Sequence, residues 1–85
     1  MAQFDLLGLR EIRRTAPPMY GTDIMSWQRL LTDREFPLGE IDGFFGPRSE
    51  AALLAFQEAY GLEPDGVLGA TSAKALIEGF PQPVD

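Results

Sequence analysis

Apolar side chains recur with a helical period in three separate stretches of this 85-residue chain. The spacing predicts one helix from about Asp23 to Asp33 or Arg34, a second from about Pro47 to Tyr60, and a third from about Ala70 to Glu78. The pattern therefore predicts an all-α fold of three short helices. The positions expected to face the core are Ile24, Trp27, Gln28 and Leu31 in the first helix, Ala52, Leu53, Phe56, Gln57 and Tyr60 in the second, and Ala73, Leu76 and Ile77 in the third.

Residues with known preferences for helix ends bracket these stretches. Thr22 or Asp23 is predicted to cap the first helix, because a short polar side chain can accept a hydrogen bond from a free backbone N–H. Pro47 fits the first position of the second helix, where its missing N–H costs nothing. Gly61 is predicted to end that helix in a left-handed conformation, and Leu62 is the apolar residue that typically follows.

Two nearly identical loops, 23 residues apart, precede the second and third helices. In each, an Asp-Gly pair is typical of a turn in which the carboxylate accepts a backbone N–H and the glycine adopts a positive φ. A second glycine is expected to let the chain bend into the helix, and a serine follows in the first helical turn, where its hydroxyl can bond a free N–H or the loop. The residues expected to shape the loops are Asp42, Gly43, Gly46 and Ser49 in the first and Asp65, Gly66, Gly69 and Ser72 in the second. Of Phe44 and Phe45, we expect one to point inward and the other outward.

Two glutamines lie next to large apolar residues on the predicted inner faces of their helices. Gln28 follows Trp27, and Gln57 follows Phe56. A buried amide must be hydrogen-bonded, and the two turns offer free backbone groups. We therefore expect each glutamine to tie a loop to a helix; the alternative is that both are ordinary surface residues.

The pattern divides the chain into three parts. Residues 17–79 hold the three helices, with Pro17 and Pro18 stiffening the entry and Gly79 expected to end the third helix. Residues 1–16 fit neither a helical nor a strand period, so they are either a lead-in that packs on the domain or on a neighbour, or a linker from a larger protein. Residues 80–85 are predicted to be a C-terminal tail.

Composition and charge exclude several kinds of function. The chain has no cysteine and no histidine, which rules out thiol or imidazole catalysis and the commonest metal ligands. A net charge of −6 disfavours a nucleic acid or an anionic membrane as partner. No apolar run is long enough to span a membrane, and the N-terminal stretch does not resemble a signal peptide.

Taken in order, these motifs resemble a known family. The residues that carry the resemblance are Gly21-Thr22-Asp23-Ile24, Trp27-Gln28, Leu31, Ile41 to Gly46, Ser49, Ala52, Phe56-Gln57, Gly61-Leu62, Asp65 to Gly69 and Ser72. Together they are similar to the peptidoglycan-binding domain type 1, a compact three-helix PGBD-like fold, over about Pro17 to Ile77. The chain departs from the family in having Ser49 and Ser72 where threonine is usual, and Trp27 where leucine is usual.

The resemblance implies a non-catalytic module that binds bacterial peptidoglycan and targets a cell-wall hydrolase or phage endolysin to the wall. Its location would then be the bacterial cell wall, the periplasm or the extracellular space, reached through a parent protein or a phage route. The alternative is a protein-interaction module in a phage tail or another cell-envelope assembly, because a small rigid fold does not fix function.

The repeated carboxylates do not indicate catalysis. Paired carboxylates hydrolyse glycosides, but Asp42 and Asp65 belong to turns that explain them fully, so we expect no enzyme activity. Calcium loops need oxygen ligands at fixed positions after the first aspartate, and apolar residues and glycines occupy these positions. We therefore expect neither a metal nor another cofactor.

Side-chain type and placement select a few candidate ligand contacts. A sugar ring could stack on Tyr60, Phe44 or Trp27, and a carboxylate of the stem peptide could pair with Arg48 or Arg29. For Trp27 the competing interpretation is an enlarged core, and for the two arginines it is a solvated surface charge. The acidic surface gives no steering toward an anionic wall, so we expect weak binding that depends on avidity.

Overall fold

A computed structural model of the protein describes residues 10–78. Its helices are α1 (Thr22–Asp33), α2 (Pro47–Ala59) and α3 (Ala70–Glu78), and α1 packs against both of the others. The described residues contain no strand. Two isolated antiparallel bridges are present, and they pair Ile12 with Leu68 and Tyr20 with Phe44. The all-α, three-helix prediction is confirmed. None of the described helices has the length and hydropathy needed to cross a membrane.

The start of α1 differs from the sequence prediction. The helix begins at Thr22, its N-cap residue is Gly21, and no side chain caps it. The Gly21 carbonyl accepts hydrogen bonds from the N–H groups of Ile24 at 3.1 Å and Met25 at 3.2 Å. Asp23 was a predicted cap, but it lies inside the first turn and its carboxylate is held by Arg10. The same carboxylate accepts the Ile24 N–H at 2.9 Å, so Asp23 binds both the first turn and Arg10 without being the N-cap residue.

The C-terminus of α2 has the predicted left-handed ending. Gly61 adopts a φ of 75°. The N–H of Leu62 donates to the Gln57 carbonyl at 2.7 Å, and the N–H of Gly61 donates to the Glu58 carbonyl at 3.2 Å. These two bonds satisfy carbonyls that the end of a helix would leave free.

The C-terminus of α1 has the same geometry without a glycine. Glu35 adopts a φ of 75°, the only positive φ outside glycine among residues 10–78. The N–H of Phe36 donates to the Leu31 carbonyl at 2.8 Å, and the N–H of Glu35 donates to the Thr32 carbonyl at 2.9 Å. The motif is therefore complete, although a side chain at this φ carries steric strain. The predicted cap of α3, Gly79, lies outside the described residues.

The core combines the three helices with residues from the loops and from the lead-in. Its buried apolar members are Ile12, Ile24, Trp27, Leu31, Leu38, Phe45, Ala52, Leu53, Phe56, Leu68, Ala73 and Leu76. Two positions predicted to face inward differ: Tyr60 is half-buried, and Ile77 is 53% exposed. The buried face of α3 comprises Ser72, Ala73 and Leu76, with Leu76 between the other two around the helix. Ile77 is about 100° from Leu76 and therefore lies at the edge of this face. Phe45 is buried and Phe44 exposed, as expected for adjacent residues.

The described part of the lead-in, residues 10–16, contacts the domain through Ile12 and Arg14. Ile12 is 1% exposed. Its N–H donates to the Leu68 carbonyl at 3.2 Å, and the Leu68 N–H donates back to the Ile12 carbonyl at 2.8 Å. Arg14 pairs with Glu50 of α2 at 3.1 Å. Ile12 therefore contributes to the core, whereas the other residues from 10 to 16 are exposed. Residues 1–9 and the predicted tail, 80–85, lie outside the described residues.

Candidate ligand-binding site

A single buried side chain, Gln28 of α1, holds the first repeated loop. Its amide oxygen accepts the Gly43 N–H at 2.9 Å, and its amide nitrogen donates to the Phe44 carbonyl at 3.0 Å and to Ser49 Oγ at 2.9 Å. The same nitrogen lies 3.3 Å from Asp42 Oδ1. Every polar group of this amide is therefore used, as a buried amide requires.

Gln57 of α2 repeats this network in the second loop. Its oxygen accepts the Gly66 N–H at 3.0 Å, and its nitrogen donates to the Val67 carbonyl at 3.1 Å and to Ser72 Oγ at 2.9 Å. Asp65 Oδ1 is 3.1 Å from that nitrogen. Each helix thus holds the loop that starts the next helix, and the expected glutamine ties are present in both loops.

The aspartates and first glycines of the loops adopt the predicted turn. Oδ1 of Asp42 accepts the N–H of Phe44 at 2.9 Å, and Oδ1 of Asp65 accepts the N–H of Val67 at 3.0 Å. Gly43 has a φ of 85° and Gly66 one of 73°, values that a residue with a Cβ rarely adopts.

The second glycine of the first loop does not have the expected steric role. Gly46 is extended, with a φ of −103°, and a Cβ added there would meet nothing within 4 Å. A Cβ on Gly69 would stand at an ordinary contact distance of 3.5 Å from the Glu11 carboxylate. Entry into α2 and α3 therefore does not depend on glycine at these positions.

Two surface hollows lie beside the loops and are related by the same repeat. The first hollow has a volume of about 510 Å³ and the second about 430 Å³. Shifting seven of the eight positions that line the first hollow by 23 residues gives seven of the ten that line the second; the exception in the first is Leu38. The pairs are Glu40 and Glu63, Asp42 and Asp65, Phe44 and Val67, Gly46 and Gly69, Pro47 and Ala70, Arg48 and Thr71, and Ser49 and Ser72.

The two hollows share a scaffold but differ in chemistry at two positions. The first offers an aromatic ring, Phe44, and a guanidinium, Arg48. The second has Val67 and Thr71 at the equivalent positions, and it gains a further carboxylate from Glu11 of the lead-in. The first hollow therefore combines an aromatic face with a cation, and the second is lined by acidic and small side chains.

Arg48 also borders a third depression, an apolar groove of about 560 Å³ along α2. Its Nη1 lies 2.8 Å from where a Cβ on Gly39 would stand. Arg48 is exposed and takes part in none of the ion pairs found between residues 10 and 78. A cation that has no carboxylate partner among residues 10–78 is thus placed between two concave surfaces.

Residues 20–76 match the family described as "Putative peptidoglycan binding domain". The chain belongs to this family. It is 37% identical over 71 residues to the N-acetylmuramoyl-L-alanine amidase CwlM of Mycobacterium tuberculosis, a match that covers 82% of this chain and 18% of the amidase. It is 38% identical over 58 residues to the spore cortex-lytic enzyme of Bacillus cereus, covering 68% of this chain and 22% of the enzyme. The chain therefore spans about a fifth of the length of these curated relatives.

A solved structure shows the same fold for this peptidoglycan-binding domain. The crystal structure of the SleB N-terminal domain superposes with a TM-score of 0.75 at 35% identity, covering 81% of this chain and 90% of that chain. The similarity thus extends over nearly all of an N-terminal domain, whereas the two enzymes are matched over a small part of their length.

The structure does not bring all the sequence-predicted contacts of the peptidoglycan-binding domain together. Phe44 and Arg48 share the first hollow. Tyr60 lies at the other end of α2, where its ring packs on Phe56 with centroids 4.3 Å apart. Arg29 is exposed on α1 and lines none of the three depressions described above. Trp27 is 7% exposed, so its position favours the enlarged-core interpretation.

Sequence reasoning missed Tyr20, which packs against Phe44 of the first hollow. Its ring centroid is 4.6 Å from that of Phe44, with the planes inclined at 42°. Tyr20 is 56% exposed and Phe44 46% exposed. The signal available in the sequence was weak, because Tyr20 precedes α1 in an irregular stretch and its pairing with Phe44 spans 24 positions.

An ion pair fixes the chain next to Tyr20. Arg10 Nε donates to Asp23 Oδ2 at 2.7 Å, and Arg10 Nη2 donates to Asp23 Oδ1 at 3.0 Å and to the Tyr20 carbonyl at 2.9 Å. The hydrogen bond from the Arg10 guanidinium and its charge lower the pKa of the Asp23 carboxyl below its usual value. Arg10 therefore ties the lead-in to α1 and to the backbone of Tyr20.

The aspartate carboxylates of the two loops form hydrogen bonds that hold the loops together. Asp42 and Asp65 each accept hydrogen bonds from a loop N–H and lie within reach of a glutamine amide. Among residues 10–78, no three acidic side chains converge in a way that could hold a metal ion. The geometry therefore gives both aspartates a turn-forming role.

Proposed function

We propose that this chain is a non-catalytic module that binds bacterial peptidoglycan and holds a cell-wall hydrolase against its substrate. Membership of the peptidoglycan-binding family supports the binding partner. The relatives support the link to hydrolysis, because they are named as an amidase and a cortex-lytic enzyme and contain this domain as a small part of their length. The module would act at the cell wall. It would arrive there as part of a parent protein or by a phage route, in which case the parent protein would be an endolysin.

The observation that carries the proposal is the position of Arg48 in the first hollow. Stem peptides of peptidoglycan carry carboxylates, and a guanidinium binds a carboxylate through two parallel hydrogen bonds. Arg48 has no carboxylate partner among the described residues, and Phe44 lines the same hollow. A single site of this kind gives modest affinity, which attachment to a many-sited wall raises through avidity.

The non-catalytic part of the proposal follows from the use of the carboxylates. A glycosidase needs two carboxyl groups that face a common substrate bond. Asp42 and Asp65 instead lie in separate loops, each bound to its own backbone and glutamine. The domain would therefore supply position, and the fused enzyme would supply chemistry.

An apolar lead-in that paired with a partner chain would favour the alternative, a protein-interaction module. In residues 10–16 the apolar side chain, Ile12, is buried against Leu68 of the same chain. That pairing removes the observation that would have favoured the alternative in this segment.

The test is co-sedimentation of the purified chain with washed peptidoglycan sacculi, at protein concentrations up to about 100 μM, where a single site of about 5.5 kcal/mol is half occupied. The variants are Arg48→Ala and Tyr60→Ala, with Thr71→Ala as the control at the repeat-equivalent position. We expect saturable binding that weakens in Arg48→Ala and persists in Thr71→Ala. Loss in Tyr60→Ala as well would extend the site along α2. Absence of binding by the folded wild-type chain would overturn the proposal.

A further inference from the structure

Two exposed rings, Tyr20 and Phe44, pack against each other, and Phe44 lines the first hollow. We call these two residues the aromatic pair. We propose that the aromatic pair binds the neutral face of an N-acetylated sugar ring of the glycan strand, separately from the pairing of Arg48 with a stem-peptide carboxylate. This inference rests on the proposed function, and it adds the chemical class that this part of the site recognises.

The aromatic pair is held in place by the backbone on both sides. The N–H of Gly21 donates to the Gly43 carbonyl at 3.1 Å, and the N–H of Phe45 donates to the Met19 carbonyl at 3.0 Å. Tyr20 and Phe44 are therefore opposite each other as a non-hydrogen-bonded antiparallel pair, in which the side chains project to the same side and lie close together. A ligand would meet a surface that is already ordered, so binding would not have to pay for ordering it.

Shielding of the loop backbone does not account for aromatic residues at both Tyr20 and Phe44. Tyr20 Cε1 lies 3.0 Å from where a Cβ on Gly43 would stand, so part of this ring does cover the loop backbone. Yet about half of each ring is open to solvent. The second loop forms the same turn with Val67 at the position of Phe44. The loop fold thus needs no aromatic residue there.

Exposure sets the aromatic pair apart from the rest of the described surface. Tyr20, Phe44 and Ile77 are the large hydrophobic residues that residues 10–78 expose, and the first two are in contact with each other. The face of an aromatic ring carries negative charge. It attracts the polarised C–H groups on one face of a pyranose, as it attracts other positive groups.

The charges around the aromatic pair favour a neutral ligand rich in hydrogen-bond donors. Glu40 and Asp42, both exposed, line the hollow next to Phe44, and the chain has a net charge of −6. These carboxylates can accept hydrogen bonds from the hydroxyl and acetamido N–H groups of a sugar. They oppose an anionic group at the rings, whereas at Arg48 the guanidinium offsets their charge. The glycan strand is the part of peptidoglycan with this chemistry.

The test is a titration, followed by chemical shifts in NMR, with a soluble β-1,4-linked tetramer of N-acetylglucosamine. We expect shifts at Tyr20 and Phe44 and roughly a three- to ten-fold weaker affinity in Tyr20→Leu and in Phe44→Val, the scale of one aromatic contact. Tyr20→Phe keeps the ring and should bind like the wild type. Ile77→Ala, which removes the third exposed apolar side chain, is the matched control. Binding should persist at 0.5 M salt, where the contribution of Arg48 to sacculus binding is screened.

Parallel sedimentation with sacculi separates the two proposals. Binding of both ligands, with loss of tetramer binding in Tyr20→Leu, supports both. Binding of sacculi with no shifts from the tetramer overturns the sugar site and leaves the wall-binding function standing. Tetramer binding without sacculus binding supports the sugar site and overturns the wall-binding function, and failure of both ligands overturns both. Equal tetramer affinity in Tyr20→Leu, Phe44→Val and the wild type would also overturn the assignment to the aromatic pair.

Discussion

Gln28 on α1 and Ser49 on α2 are joined by a buried hydrogen bond of 2.9 Å, with the glutamine amide donating to the serine hydroxyl. Gln57 on α2 and Ser72 on α3 repeat it at 2.9 Å. In both cases the remaining groups of the amide bind the loop between the two residues. The fold can therefore be understood as two copies of one unit, a glutamine that fixes the loop leading into the next helix.

Replacing Gln28 by alanine should destabilise the fold by about 2–3 kcal/mol, because it leaves buried loop groups without partners. The groups affected are the Gly43 N–H and the Phe44 carbonyl. Gln57→Ala should have a similar effect through the second loop. Urea unfolding monitored by circular dichroism measures both free energies. Arg29→Ala, at the neighbouring exposed position, is the control and should lie within about 0.5 kcal/mol of the wild type. A similarly small change in both glutamine variants would contradict the structural role of the amides.

Replacing Ile12 by alanine should cost about 2–4 kcal/mol, the usual range for emptying a buried aliphatic site. Ile12 is 1% exposed and reaches the core through its pairing with Leu68. Arg13→Ala tests the adjacent exposed position and should be nearly neutral. Thermal and urea unfolding of the two variants would show whether the lead-in belongs to the cooperative unit; equal stability of Ile12→Ala and wild type would show that it does not.

Local signals in the sequence were sufficient for the helices and for the loop networks. A helical period, a Pro at the first position of α2 and a Gly after its end depend on neighbouring residues, and the structure has all three. The glutamine networks could also be predicted, because a polar amide on an apolar stripe requires partners and the repeated turns supply them.

Features that depend on distant pairings could not be predicted. Asp23 was expected to cap α1, but Arg10, 13 residues away, holds its carboxylate. Tyr20 became part of the candidate site only through its contact with Phe44. Pairing across a loop leaves no periodic trace in the sequence. The positive φ of Glu35 was missed for a local reason. Glycine usually occupies such a position, and here a glutamate does.

The Arg10–Asp23 pair should make stability depend on pH in the acidic range. Arg10 lowers the pKa of Asp23 in the folded protein, so the contribution is complete above the unfolded value of about 3.9 and is lost as the pH falls through the lower folded value. Both side chains are partly exposed, which limits the effect at pH 7 to about 1 kcal/mol or less. The free energy of unfolding of Asp23→Asn, measured from pH 7 to pH 2.5, should approach that of the wild type as the pH falls. A difference that stays constant over this range would contradict the ion-pair assignment; Glu58→Gln is the control for loss of a carboxylate.

Replacing Glu35 by glycine should stabilise the fold by about 0.5 kcal/mol. A side chain at a left-handed φ destabilises the folded state by about 1–2 kcal/mol. Glycine removes this strain, but its greater conformational entropy in the unfolded chain offsets about 0.5–1 kcal/mol of the gain. The melting temperature should rise by about 2–4 °C. Gly61→Ala places a side chain at the equivalent position after α2 and should lower it. A lower melting temperature in Glu35→Gly would show that the glutamate side chain makes a compensating contact.

Exchanging Arg48 and Thr71 between the two hollows tests whether the position of the cation matters beyond its charge. Arg48→Thr should weaken binding to sacculi about three- to ten-fold at low salt, because a charge-assisted contact is lost, and the difference should shrink at 0.5 M salt. The double variant Arg48→Thr/Thr71→Arg keeps the net charge of −6. We expect it to bind as weakly as the single variant, since the second hollow has Val67 in place of Phe44 and the additional carboxylate of Glu11. Recovery of binding in the double variant would mean that a cation near either loop is sufficient. The placement of Arg48 beside Phe44 in the first hollow would then not be required for binding to the wall.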